Sequence, residues 1–151
     1  MSYEDLPRLM TLMTGDEKHG SSATSTLDVL WVLYDRVLRV DPEDPTDESR
    51  DRFLFSKGHG PMAYYAVLAA KGFIPVDILQ MFGRHDSILG QHPDRTLIPG
   101  VEIASGLLGH GLPIALGMSA ALPRLHTPGR LFRTTKRFGY RCDRNRRRPE
   151  P

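Results

Sequence analysis

Four short clusters in this sequence combine glycine with histidine: Lys18-His19-Gly20-Ser21-Ser22, Ser56-Lys57-Gly58-His59, Gly90-Gln91-His92-Pro93-Asp94 and Gly106-Leu107-Leu108-Gly109-His110-Gly111. Imidazole donates, accepts or carries a proton near neutral pH. Glycine lets the backbone approach a ligand closely or take a positive φ. Backbone amides at the start of a helix after Gly106 would suit an anion such as a diphosphate. Taken singly, each cluster also has a plain explanation. A loop histidine is most often a hydrogen-bonded surface residue, and Gly-x-x-Gly-x-Gly serves close helix packing as readily as nucleotide binding. Lys57 is expected to be solvated or paired with an acidic neighbour. His85, Asp86 and Arg95 carry no assignment.

The elements around the clusters follow from periodicity. Tyr3, Leu6, Leu9, Met10 and Met13 fall at helical spacing. A second helix follows Ser25 as N-cap, with Leu27, Leu30, Trp31, Tyr34 and Leu38 on one face. Val29, Val32, Leu33 and Val37 fill the other face, so this helix is expected to be largely buried. An acidic, proline-bearing loop over 41–51 separates it from Arg52-Phe53-Leu54-Phe55-Ser56, read as a short buried strand. Pro61 at a first helical position opens a helix to Ala70 that Lys71-Gly72 closes. A short helix fits Pro75 to Phe82, and a loop spans 83–100. Val101-Glu102-Ile103 suggests a brief extended segment. From Gly106 to Leu122 a glycine-rich turn feeds a helix of small apolar residues, expected to pack tightly. Trp31, Phe53, Phe55, Tyr64 and Tyr65 are read as core.

At 151 residues, with 40% hydrophobic and 25% charged, the chain has the composition of one soluble globular domain. Residues 1–122 carry ten Lys/Arg against sixteen Asp/Glu, whereas 123–151 carry ten against two. The two parts differ in physical character, so 123–151 is read as an irregular basic tail. Cys142 is the sole cysteine, too few for an internal disulfide, which fits a reducing cytoplasm. No apolar stretch approaches the ~20 residues that span a bilayer.

In collinear order, the clusters resemble the successive blocks of the transketolase family. His19 through Ser22, with Leu27-Asp28-Val29-Leu30 and Tyr34, resembles its entry loop before a buried helix. Asp51-Arg52-Phe53 through His59 and Tyr65-Ala66-Val67-Leu68 looks like the next block, and His92-Pro93 matches its Gly-His-Pro loop. Pro99-Gly100-Val101-Glu102 leading to Gly106, Leu108, Gly109 and Gly111 is similar to its Gly-Ser-Leu-Gly-Gln-Gly block. The sequence departs from the family at Gly20-Ser21, at Gln91 and at Leu107.

The resemblance implies a helix-rich α/β chain, residues 1–122 forming part of a doubly wound domain that binds thiamine diphosphate. It implies that His59 meets the cofactor diphosphate, and that Gly106 and Leu108 offer backbone groups to the diphosphate and aminopyrimidine. His19 and His92 would face the sugar and assist proton transfer. The implied activity is transfer of a two-carbon ketol unit between sugar phosphates in the cytoplasm. The family's Gly-Asp-Gly segment, which holds Mg²⁺ or Ca²⁺, is not found after Leu122, and the pyrimidine-binding domain is missing. The chain is therefore expected to be inactive alone and to need a second chain carrying both. Two other readings are a degenerate, non-catalytic fragment or interaction module, and a fragment of a deoxyxylulose-phosphate-synthase-like enzyme. The tail is read as an appended, unselected stretch, such as a translated frameshift, in preference to a nucleic-acid-binding arm.

Overall fold

The computed structural model of the protein describes residues 1–14 and 20–125. His19 and the basic stretch after Leu125 lie outside the described residues. A 3₁₀ turn, Tyr3–Asp5, leads into α1, Leu6–Thr11. Then come α2, Gly20–Thr24, and α3, Leu27–Val32, which continues as a π-helical turn over Leu33–Val37. After the long acidic loop come α4, Met62–Ala70, a 3₁₀ helix, Asp77–Met81, and finally α5, Gly111–Leu125.

The centre of the fold is α4, because its sequence has no polar face. Every residue from Ala63 to Ala69 is buried, as a helix apolar on all sides must be. It packs against α1, α2, α3 and the second 3₁₀ helix. Its end is set by Gly72, at φ +85°. That backbone lets the Phe73 amide reach the Leu68 carbonyl at 2.9 Å and the Gly72 amide reach Ala69 at 3.1 Å, closing a Schellman cap. At its other end Pro61 stands at the N-cap rather than inside the first turn, and its carbonyl accepts the Tyr65 amide at 2.9 Å.

Four sequence expectations are corrected. Residues 52–56 are not a strand, and among the described residues there is none. The period-2 pattern is nonetheless real: Phe53 and Phe55 enter the main core, while Leu54 joins Ile103 and Ala115 in a second cluster. A strand is defined by its ladder, and no described segment supplies one. The second helix starts at Leu27 after Thr26, so Ser25 is not its cap; the Ser25 hydroxyl donates to the Ser22 carbonyl at 3.1 Å. Nor is that helix buried all round. Leu27, Leu30, Leu33 and Tyr34 are inside, but Val29 and Val32 are 56% and 48% exposed. The tight packing expected of α5 is absent too: Ala115 is buried, whereas Ile114 and Leu116 stand out.

An aromatic layer backs the loops. The Tyr34 ring meets Phe53 and Phe73 edge-on at 5.8 and 5.9 Å, and Phe55 lies 4.9 Å from Tyr64. The buried Tyr34 and Tyr64 hydroxyls hydrogen-bond each other at 3.0 Å, and Tyr64 reaches the Gly100 carbonyl at 3.5 Å. Glu102 ties this layer to the acidic loop. Its carboxylate lies 2.7 Å from Arg50 and 3.5 Å from Arg52, with only 9% of its side chain exposed. Burial pushes the Glu102 carboxyl up, against the downward pull of Arg52 and Arg95. Glu102→Ala leaves both guanidinium groups without their counter-charge. It should cost about 2 kcal/mol in urea unfolding, below the fully buried case because the arginines keep some water. No change in the unfolding midpoint would mean that water already compensates them.

Candidate functional site

The loop 56–60 carries the chain from the aromatic layer into α4, and it is built to be approached by backbone. A Cβ placed on Gly58 would stand 2.5 Å from the Gly106 nitrogen and 2.7 Å from the Ser105 carbonyl carbon. Gly58 is therefore the residue that lets two loops almost fifty positions apart lie backbone on backbone. Gly106 itself has φ +147°, and a Cβ there would meet the His92 ring at 2.9 Å. Nearby, Gly111 leaves no room for a methyl beside Ser56, and Gly60 none beside Ala23.

These contacts gather parts of all four glycine–histidine clusters. The His59 and His92 rings meet edge to face at 5.1 Å between centroids. The Ser22 hydroxyl donates to the His59 carbonyl at 3.4 Å. Pro93 accepts from the Ser105 amide at 3.2 Å, and Gly90 from the Tyr65 hydroxyl at 3.0 Å, so the His92 loop is held from both sides. Asp94 serves the turn: its carboxylate accepts the Thr96 amide at 2.8 Å and hydroxyl at 2.7 Å. Those bonds, the backbone one first, hold its carboxyl below the usual range.

Of the residues singled out from sequence, His59, His92 and Gly106 come together. Leu108 sits on the same loop as Gly106 but is 84% exposed. His19 falls outside the described residues. The helix after the glycine-rich turn begins at Gly111, so the amides of Gly106 to Leu108 belong to a loop and not to a helix N-terminus. Lys57 stays partly exposed, as a solvated lysine would, and it also donates to the Ser22 carbonyl and, at 3.2 Å, to the Ser25 hydroxyl. Among the described residues no carboxylate pairs with it. Burial pushes its ammonium pKa down. Two contributors escape sequence reasoning. A carbonyl partner for Lys57 leaves no mark in the residue types, and the buried Ser105 hydroxyl, without a hydrogen-bond partner among the described residues, looks like any loop serine.

Chemically, the cluster offers close-set backbone, two imidazoles and an unsatisfied buried hydroxyl, a donor set suited to phosphate oxygens. Among the described residues no three His, Cys, Asp or Glu side chains gather to hold a metal ion.

Residues 11–128 match the family described as transketolase, thiamine diphosphate binding domain. The chain belongs to that family. A relative named ferredoxin fas2, from Rhodococcoides fascians, is 60% identical over 80% of this chain and 40% of its own length. A protein from Actinobacillus succinogenes, named as one of the subunits of apulose-4-phosphate transketolase, is 40% identical over 76% of this chain and 41% of its own length. The chain thus spans about two fifths of the curated relatives it matches. In structure it is similar to transketolase from Leishmania mexicana, with TM-score 0.65 and 28% identity over 80% of this chain and 19% of that one.

The glycine contacts yield a paired test. Gly58→Ala forces a methyl against backbone and should cost about 2 kcal/mol. Gly117→Ala, on α5 with nothing within 4 Å, should stabilise by about 0.5–1 kcal/mol. Thermal unfolding of both variants checks this; equal effects would show that the loops are not in close contact.

Proposed function

We propose that the chain is the N-terminal part of a thiamine-diphosphate-dependent enzyme that transfers a two-carbon ketol unit between sugar phosphates in the cytoplasm, acting together with a second chain. The observation that carries this reading is the packing of Gly58 on Gly106 beside the His59–His92 pair. It collects widely separated blocks into one cradle, in a member of the thiamine diphosphate binding family. The Actinobacillus relative is named as one part of a transketolase, which supports a divided enzyme.

In this proposal His59 and the amides of the Gly106–Leu108 loop take the diphosphate, with the Ser105 hydroxyl as a further donor. The close approach of Gly58 keeps side chains from filling that space. His92, exposed at the rim, would bind sugar hydroxyls and move a proton, with His19 in the same role. Thiamine diphosphate, when bound, supplies the electron sink for carbanion chemistry. Mg²⁺ or Ca²⁺ would be held by carboxylate and amide oxygens of the second chain, which also brings the pyrimidine domain. That chain would complete the doubly wound fold. It would also cover the apolar side chains left open at Leu107, Leu108, Ile114 and Leu116. The domain would give way to a basic tail after Leu122.

Calorimetry tests the proposal. Thiamine diphosphate with Mg²⁺ should bind weakly to this chain alone and tightly once a pyrimidine-domain chain is added. His59→Ala should weaken the assembled affinity by about tenfold or more, the loss of one charge-assisted hydrogen bond. Tight binding by this chain alone would reject the divided enzyme, and unchanged affinity in the variant would remove His59 from the diphosphate site.

A further inference from the structure

Lys57 is the one cation of the site loop, and its partners are unusual for a lysine. Its ammonium donates to the backbone carbonyl of Ser22, within α2, and to the Ser25 hydroxyl just after it, so both partners lie in the segment 22–25. The same segment returns the contact, for the Ser22 hydroxyl donates to the His59 carbonyl. Gly60 then lies against the Ala23 backbone, with no room for a side chain between them. Four contacts therefore join residues 22–25 to residues 57–60 in a reciprocal clasp.

We propose that Lys57 is a positioning residue: by gripping Ser22 it fixes the backbone of His59, and through it the imidazole that faces His92. This assignment rests on the reading of His59 as a diphosphate contact given above. The physical reasons are local. A part-buried ammonium must be hydrogen-bonded to be tolerated, and a charged donor on a carbonyl is stronger than a neutral one. The Ser22–His59 bond, at 3.4 Å, is long and would not by itself hold the two segments in register. Lysine suits the role through its reach and its several donors, which engage a carbonyl and a hydroxyl together. No carboxylate competes for it among the described residues, so its charge is directed wholly at the neighbouring segment.

The test uses the full chain with Lys57→Met, which keeps the length and apolar stem, and Lys57→Arg, which keeps the charge. Amide hydrogen exchange and the imidazole resonances of His59 and His92 are followed in each. In the methionine variant, exchange over 20–26 and 57–60 should rise about tenfold or more while α1 and α4 keep their rates. The His59 resonance should move in the same variant. The arginine variant should restore both towards the parent. Unchanged exchange in the methionine variant overturns the proposal. So does a rise spread over the whole chain, which would make Lys57 a general stabiliser, and so does an arginine variant as loose as the methionine one. Thiamine diphosphate added with the second chain separates the two levels. If it leaves His59 unperturbed in the parent protein, the cofactor reading fails and the clasp stands. If the exchange pattern ignores Lys57, the clasp fails whatever the cofactor does.

Discussion

The site depends on one steric fact: the backbones at Gly58 and Gly106 lie so close that position 58 can carry no side chain, while a side chain on 106 would run into the His92 ring. Any other residue at position 58 would push the 105–111 loop away and with it the floor under His92. Everything else in the architecture serves to bring those loops to that distance. The buried helix α4 fixes the end of the 56–60 loop, the aromatic layer fixes its beginning, and Glu102 with Arg50 and Arg52 holds the strip that leads to Ser105.

The energetics divide along the same line. The layer beneath the loops is apolar and aromatic, and it is stabilised by burial and ring packing that need no ligand. The loops above it are joined by hydrogen bonds and by backbone contact: Ser22 to His59, Lys57 to Ser22 and Ser25, Ser105 to Pro93, Tyr65 to Gly90, and Gly58 against Gly106. The exposed leucines at 107 and 108 belong to this upper part.

Much of this is legible in the sequence, and the failures have physical causes. The helix of α4 and its closure at Lys71-Gly72 are readable, because an unbroken apolar run and a C′ glycine admit few alternatives. The core roles of Phe53, Phe55, Tyr64 and Tyr65 are equally clear from size and apolarity. Phe53-Leu54-Phe55 has the period of a strand, yet a strand needs a neighbour, and periodicity cannot say whether one is present. Val29 and Val32 read as buried because valine is apolar on either side of a helix, and sequence does not show which face is covered. The small apolar residues of α5 fit tight packing and an uncovered helix equally well. The candidate site is visible as four clusters in order, whereas their convergence is not. The grip of Lys57 is not legible because the group it holds, a carbonyl, is present at every position of any chain.

A crystal structure of this chain with a pyrimidine-domain partner, thiamine diphosphate and Mg²⁺ would test the cradle itself. Diphosphate density is expected over the Gly106 loop, within hydrogen-bond distance of the His59 imidazole, with Gly58 and Gly106 still backbone to backbone. Diphosphate seated elsewhere, or loops parted to admit it, would contradict a cradle built on that contact.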